Sequence, residues 1–382
     1  MRPRRRPIYI NVLTPLFKPR RRTHPRARSL HVLAAIACLL ILSGCAVVGP
    51  ASIRSGRQAY NEAVQQTTDQ ELLLNIVRLR YRDTPTFLQI SGIATQMQLQ
   101  SSFNASTGLG TGRADNFNLS QNNTYAERPT ISYRPVVGQA FIQQLLEPVT
   151  SDKLTLLYNA GWPVDTLFSL VVQSVNGLQN APGASGPTPE LGPEFDRFQN
   201  ATRALRDLQR AGLLNIGVSE GDQTQIRIDK DPFYQAPAML VRRSLNLSHS
   251  EDAYQIDQAT DPVDGNTIAI VARSLMSTMF FLAQGVDVPD ADIAEGRVFT
   301  AQYADGQRVD WHAVTQGLFR VHASHLCPEE PYVSVQYRGR WYAIYDNDLS
   351  SKTTFALLSQ LFAMQSGNIR SAGPVLTLPV GG

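Results

Sequence analysis

The sequence predicts an α+β fold, in which a helical N-terminal part with a long β-hairpin is followed by a mixed unit of antiparallel sheet and helix. Three observations predict it. Apolar residues recur at helical spacing in several segments. Apolar and polar residues alternate with a period of two between residues 86 and 134. Further along the chain, short apolar runs bounded by turn residues alternate with helical segments.

The first 44 residues predict a bacterial lipoprotein signal peptide. They carry ten basic residues and no acidic one, and they include an apolar run of 11 residues at 32–42, which is too short to span a bilayer. The run ends in "LSGC", residues 42–45, which resembles the lipobox cut by the lipoprotein signal peptidase. This resemblance implies that Cys45 becomes the first mature residue and carries acyl chains, which anchor the protein to a membrane. The alternative is an ordinary signal peptide with a chance cysteine.

Residues 45–56 are then predicted to be a lipidated tether. The residue after the cysteine is Ala46 and not an aspartate. In enterobacterial lipoproteins this resembles sorting to the outer membrane. The expected location is therefore the cell outer membrane, with the mature domain facing the periplasm.

Charge gives no argument for a nucleic-acid partner. Ten of the 35 basic residues precede Cys45, whereas all 32 acidic residues follow it. The chain from Cys45 onward therefore carries 25 basic and 32 acidic residues, a net charge of −7. The basic character of the whole sequence belongs to the segment that is removed, and we expect no nucleic acid among the partners.

Residues 57–178 are predicted to form an N-terminal lobe. Its first helix has Thr68 and Glu71 at capping-box spacing, then apolar residues at helical spacing, and it ends before Pro85. Three arginines lie along this segment: Arg78, Arg80 and Arg82. We interpret them as the solvated side of an amphipathic helix, because a charge run on a helix is usually exposed. An anion-binding surface is the alternative.

The long β-hairpin is predicted at residues 86–134. Apolar residues recur at odd positions between Thr95 and Leu109, polar uncharged residues occupy even ones, and the pattern resumes after "GTGRAD" at 110–115. The alternation is far longer than an ordinary strand of about 5–6 residues. The apolar side either folds back on the protein's own core or faces the membrane in a ring of identical subunits, each of which gives one hairpin.

The remaining elements complete the prediction. Helices are expected within 136–177, a linker loop rich in glycine and proline at 179–193, and a C-terminal α+β lobe over 194–382. In that lobe we expect a helix at 194–211, paired strands around a turn at 219–223, and a strand at 238–247. A buried helix at 266–284, a hairpin turning near Gly339, a helix over 352–364 and a closing strand at 374–380 follow.

Two blocks, "LLLNIVRLRYRDTPTFL" at 72–88 and "YVSVQYRGRWYAIYDNDLSSKTTFALLSQLF" at 332–362, together with the lipobox, resemble a family of uncharacterised bacterial lipoproteins. The family has no established activity, so the resemblance supports the compartment and implies no catalytic or binding residue.

Few residues suggest chemistry. After the signal peptide the only cysteine besides Cys45 is Cys327, which lies close to His322 and His325. These residue types suit zinc but their spacing does not, so they are weak candidates for a metal site. Ser219 lies in a G-x-S-x-G pattern, but a strand is expected after it, and the pattern predicts a hairpin turn instead. Asp348 is expected to cap the helix that follows it. We expect no cofactor.

The sequence therefore favours a non-enzymatic lipoprotein of the outer membrane, acting as a structural or assembly component of an envelope complex. The expected partners are the membrane, reached through the lipid anchor, and either further copies of the chain or other envelope proteins. The alternative is a lipid-tethered periplasmic hydrolase that acts on envelope polymers.

Overall fold

The computed structural model describes residues 58–108, 116–135, 139–187, 195–219, 221, 223–258, 264–302 and 306–366. The chain divides into two compact units, residues 1–65 and 66–382, and the elements named below lie in the second, apart from the first eight residues of α1. Cys45, the signal peptide, the tether at 45–56 and the predicted closing strand at 374–380 lie outside the described residues.

The protein has an α+β fold, as the sequence predicts. The first helix, α1, covers residues 58–80 and is followed by the hairpin strands β1 and β2. The helices are α2 (Gln139–Leu146), α3 (Ser151–Asn159), α4 (Val164–Val171), α5 (Phe195–Arg210), α6 (Gln235–Ser244), α7 (Leu275–Ala283), α8 (Asp290–Ala294), α9 (Trp311–Thr315) and α10 (Leu349–Ser366). The strands are β1 (Leu88–Gly108), β2 (Asn116–Pro135), β3 (Val172–Val175), β4 (Leu178–Gln179), β5 (Leu214–Val218), β6 (Thr224–Ile228), β7 (Ala253–Asp257), β8 (Thr267–Ala272), β9 (His322–Ser324), β10 (Pro331–Tyr337) and β11 (Arg340–Tyr345).

The strands that the structure describes form three sheets. A six-stranded sheet has the order β4-β3-β8-β7-β6-β5, and all its pairs are antiparallel except β7 with β8. A three-stranded antiparallel sheet has the order β10-β11-β9, and β1 with β2 forms the third sheet. The larger sheet joins strands from both sides of the linker predicted at 179–193. Part of that segment is regular, since Pro182–Ser185 form a short 3-10 helix around the buried Ala184.

Two apolar clusters hold these elements together. One lies between the six-stranded sheet and helices α4, α5 and α6, and it includes Phe198, Leu208 and Tyr254. The other joins α1, α2, α7 and α10 to the three-stranded sheet through residues such as Ile76, Phe281 and Phe355. Each element buries the apolar stripe that its sequence period creates, which is the main source of stability for such short helices.

Several elements match the sequence prediction closely. Strands β5 and β6 pair around the turn at 219–223, and Ser219 N–H donates to the Gln223 carbonyl at 2.8 Å. Strands β10 and β11 form the hairpin that turns at Arg338 and Gly339, both of which have positive φ. Helix α10 follows Asp348, whose carboxylate accepts from the Ser351 backbone N–H at 3.0 Å and from its hydroxyl.

Four predictions of local structure were wrong. The segment predicted as a strand at 238–247 is mostly helix α6, because its inward residues follow a helical period. The helix predicted at 266–284 is strand β8 followed by the shorter helix α7. The helix predicted to continue to residue 177 gives way to β3 at Val172. Helix α1 begins before Thr68, so Glu71 is no capping-box residue, and its Oε1 accepts from Leu88 N–H at 2.9 Å.

Candidate functional site

The β1–β2 hairpin contains the two longest strands among the described residues. Its strands are 21 and 20 residues long and form a two-stranded sheet of their own. At about 3.3 Å per residue, each strand is roughly 65–70 Å long. One register runs without interruption from Gly92↔Ser132 to Gly108↔Asn116, with a single irregularity between Ile90 and Gly92. The hairpin predicted at 86–134 is therefore confirmed. Each of its strands is far longer than an ordinary strand of about 5–6 residues.

The register preserves the alternation that the sequence shows. Odd positions pair with odd positions, as in Leu99↔Tyr125, and even positions pair with even ones, as in Gln100↔Thr124. The described side chains at even positions on the distal half of the hairpin are exposed and uncharged: Gln100, Ser102, Asn104, Ser120, Asn122 and Thr124.

The outer edges of the hairpin differ in chemistry. No charged residue and no proline occurs in β1, whereas β2 contains Glu127, Arg128, Pro129 and Arg134. Natural proteins usually place charge or proline on long free edges, because an edge presents unpaired backbone N–H and C=O groups to other strands. The β1 edge lacks both protections.

Exposed apolar side chains also gather near the base of the hairpin and on the helix that follows it. Leu88, Ile131 and Tyr133 lie near the base, and Ile142 and Leu146 lie one turn apart on α2. Each is at least 40% exposed. Scattered exposed apolar residues are normal, but several in neighbouring elements are typical of an interaction surface.

Several polar side chains form hydrogen bonds where the two sequence blocks, 72–88 and 332–362, meet. The Tyr81 hydroxyl lies 2.6 Å from Asp292 Oδ2 and 2.7 Å from the Tyr342 hydroxyl. All three residues are buried. Burial, together with the hydrogen bonds to Asp292 and Tyr342, raises the pKa of Tyr81 far above its ordinary range. The hydroxyl therefore stays neutral and acts as a hydrogen-bonding group within the core.

Asp83 completes the contact between these blocks. Its carboxylate accepts hydrogen bonds from the Tyr337 hydroxyl and from Arg338 Nη2, the latter at 3.0 Å. These bonds hold the pKa of Asp83 below its usual value. The guanidinium of Arg338 also lies 5.0 Å from the centroid of the Tyr81 ring. The two blocks, 72–88 and 332–362, are thus in direct contact.

The three arginines of α1 and its following turn have different environments. Arg80 is buried, and its Nη1 donates to Gln284 Oε1 at 3.3 Å and to the Phe299 carbonyl at 3.1 Å. Burial lowers the pKa of Arg80 to about 10. Arg78 is half-buried and Arg82 is exposed over the Phe299 ring. The interpretation of a solvated arginine side was therefore wrong for Arg80, and because Arg80 is buried the three arginines do not form one exposed surface.

The weak metal candidates are not brought together. His322 Nδ1 lies 3.4 Å from Asp287 Oδ2, whereas His325 Nε2 lies 2.7 Å from Arg340 Nη1. Cys327 is exposed. Within the described ranges, no group of three or more His, Cys, Asp or Glu side chains is arranged to hold a metal ion. His322, His325 and Cys327 therefore do not form the site for which their residue types are suited.

His322 instead belongs to a cluster around Asp287 that the sequence did not reveal. His312 Nε2 and Arg320 Nε lie 3.1 and 3.3 Å from Asp287 Oδ1. Burial alone would raise the pKa of the Asp287 carboxyl. The hydrogen bond from His322 and the charges of Arg320 and His312 outweigh it, so the pKa is lowered. No signal near Asp287 in the sequence points to this arrangement.

Helix α6 presents a further apolar surface. Its outer side and the short 3-10 helix before it expose Phe233, which is 92% exposed, with Tyr234, Met239 and Leu240. Its inner side packs Ala238 and Val241 into the second core. The helix is thus apolar on two sides, which explains why its sequence did not read as an amphipathic helix.

Comparisons with known proteins give no match to a protein-family model, to a curated protein or to a solved structure.

No helix in the part of the chain that the structure describes is both long enough and apolar enough to cross a membrane.

Proposed function

We propose that this protein is a lipid-anchored lipoprotein of the outer membrane that acts as a non-enzymatic assembly component, and that the β1–β2 hairpin joins copies of the chain. Acylation of Cys45 and the location follow from the lipobox and the resemblance of the sequence blocks to uncharacterised lipoproteins. The observation that carries the assembly role is the hairpin, a separate two-stranded sheet with about 20 residues in register.

The β1 edge is the expected contact. Alternate residues of a strand direct their backbone N–H and C=O groups to each side, so a 21-residue edge strand offers roughly ten residues for pairing. Pairing with a strand of a second copy satisfies these groups, and the absence of charge and proline from β1 leaves nothing to oppose it. The exposed apolar residues near the hairpin base and on α2 extend the surface that such an assembly would cover.

The first experiment shortens the hairpin along its own register. Residues 100–124 are replaced by an Asn-Gly turn, so that Leu99 and Tyr125, which are partners in the native ladder, close a shorter hairpin. We expect the acylated variant to remain folded, with a melting temperature close to that of the wild type, and to lose its oligomeric state in detergent. If the body is destabilised while the particle size is unchanged, the hairpin serves the protein's own core.

The second experiment compares the two edges with matched variants. Lysines replace Ser102 and Asn104 on β1, or their cross-strand partners Asn122 and Ser120 on β2. All four side chains are exposed, so each pair adds the same charge at the same height of the hairpin. We expect the β1 lysines to dissociate the oligomer and the β2 lysines to have a smaller effect, measured by light scattering. A wild-type protein that is strictly monomeric would disprove the assembly role.

A further inference from the structure

A cavity of about 210 Å³ lies between α4, α5, the Phe281 side chain of α7 and the loop after α9. It has an apolar wall that includes Phe195, Phe281 and Leu318, and a polar wall that includes Asp165 and Asn180. An engineered cavity of about 150 Å³ is large enough for benzene, so this one accommodates a ligand of one substituted ring.

The polar wall carries two hydrogen-bond acceptors that no donor satisfies. Asn180 is fully buried, and its Oδ1 has no hydrogen-bond partner. Oδ1 of Asp165 is likewise buried and makes no hydrogen bond, since Arg206 Nε is 3.8 Å away. A fully buried acceptor left unsatisfied costs about 1–3 kcal/mol, so Asn180 Oδ1 calls for a donor from a bound molecule. Asp165 Oδ1 lines the same cavity and offers a second acceptor, although its side chain is 35% exposed.

The orientation of Asn180 is fixed by its other contacts. Its Nδ2 donates to the carbonyls of Ser169 and Val172 at 2.9 and 2.6 Å. The backbone carbonyl of Asn180 accepts a hydrogen bond from the buried guanidinium of Arg273. Turning the amide over would lose both Nδ2 bonds and place two donors against no acceptor, so the oxygen is the atom left for a ligand.

The charges around the cavity favour a neutral ligand. Among the described residues that line the cavity, Asp165 is the one carboxylate, and Arg206 lies close enough to compensate its charge. Arg203 on the rim donates to Gln199 Oε1 at 3.1 Å and adds positive charge, which opposes a cationic ligand. Hydroxyl groups donate to Asn180 and Asp165 without bringing charge, while the C–H faces of a ring pack against the two phenylalanines.

The geometry points to a binding site for a hydroxylated ring of the size of one monosaccharide unit, with Asn180 Oδ1 and Asp165 Oδ1 as the acceptors for its hydroxyls. The site is separate from the hairpin and from the assembly role proposed above. A protein of the bacterial envelope meets such rings in the polysaccharides around it.

The test is calorimetric titration of the detergent-solubilised full-length protein with glucose and N-acetylglucosamine, with cyclohexylammonium as a cationic ring of similar size. We expect saturable binding of a sugar with a dissociation constant on the order of 1 mM. Asp165→Ala should weaken it about tenfold by removing one acceptor. Asp207→Ala, which alters an exposed carboxylate on α5 outside the cavity, should leave it unchanged.

A second variant blocks the space without touching the acceptors. Thr166→Leu adds volume to the cavity wall and should abolish sugar binding, whereas Thr353→Leu, on α10 away from the cavity, should not. The inference is overturned if no sugar binds at about 50 mM, fifty times that dissociation constant. It is also overturned if cyclohexylammonium binds more tightly, or if Thr166→Leu binds sugar as the wild type does. A crystal grown with the sugar in which the cavity holds only water would also overturn the inference.

Discussion

At the residue scale, the clearest determinant of the fold is Arg273, a fully buried arginine that has no carboxylate partner among the residues that the structure describes. Its Nη1 donates to the carbonyls of Ser169, Leu170 and Val172 at 3.0–3.1 Å. Its guanidinium also lies 4.1 Å from the centroid of Phe281. Burial lowers its pKa to about 9, which still leaves it charged at neutral pH. Arg273 satisfies the carbonyls where α4 passes into β3, where a helix end would otherwise leave them without donors.

Arg273→Ala should therefore destabilise the protein strongly. The substitution leaves several buried carbonyls without donors, each at a cost of about 1–3 kcal/mol, so a loss of at least about 3 kcal/mol is expected. Urea unfolding measures it. Arg243→Ala, at an exposed position on α6, is the control and should change stability by less than about 0.5 kcal/mol. Equal effects of the two substitutions would show that the carbonyls find other partners.

The cluster around Asp287 makes a prediction about pH. Its folded-state pKa lies below the unfolded value of about 3.9, so its ion pairs stabilise the fold above that pH and the stabilisation is lost as pH falls through the folded-state pKa. At pH 6, Asp287→Asn should lower the free energy of unfolding by about 1–2 kcal/mol.

Below the folded-state pKa of Asp287, wild type and variant should converge. Urea unfolding between pH 2.5 and 6 gives the comparison, with the exposed Asp196→Asn as control. A gap that persists unchanged at the lowest pH would mean that the Asn variant is destabilised for a reason other than charge.

At the element scale, the hairpins were predictable because their signals are local. A period of two and the turn-like segment at 110–115 suffice to predict β1 and β2, and the Arg338–Gly339 turn suffices for β10 and β11. Segment 266–284 was not predictable in the same way, because a continuous apolar run suits either a strand or a buried helix. The break falls at Arg273 and depends on carbonyls about 100 residues away. The pairing of Tyr81 with Asp292 likewise spans 211 residues, beyond the reach of local sequence reasoning.

A glycine controls how closely α7 and the loop after α9 approach. A Cβ added at Gly285 would lie 2.6 Å from the Phe319 carbonyl oxygen and 3.2 Å from Thr315 Oγ1. Gly285→Ala should therefore destabilise the fold by about 1–3 kcal/mol, since the backbone must shift. Thermal unfolding measures it. Gly217→Ala in β5 is the matched control, because its Cβ would meet nothing within 4 Å, and it should leave stability the same or slightly higher. An unchanged melting temperature for Gly285→Ala would contradict the close approach.

At the scale of the whole molecule, the two sequence blocks form one structural unit although about 240 residues separate them. Phe87 of the first block stacks on Phe362 of the second at 5.3 Å between ring centroids, and Asp83 binds Tyr337 and Arg338. This unit holds the start of β1, since Glu71 on α1 accepts from Leu88 N–H. The blocks therefore position the base of the hairpin, which is the element that we propose joins copies of the chain.

Anchoring and assembly should be separable in this molecule, because the predicted lipid site at Cys45 and the hairpin use different residues. Cys45→Ala should leave a precursor that resists the lipoprotein signal peptidase and takes up no palmitate, since the thiol that carries the acyl chains is gone. Cys327→Ala is the matched control, because Cys327 is the other cysteine after the signal sequence and should not affect labelling. Persistent palmitate labelling of Cys45→Ala would rule out this anchor. The variant with the shortened hairpin should still be labelled fully, so a loss of label there would show that assembly and anchoring depend on each other.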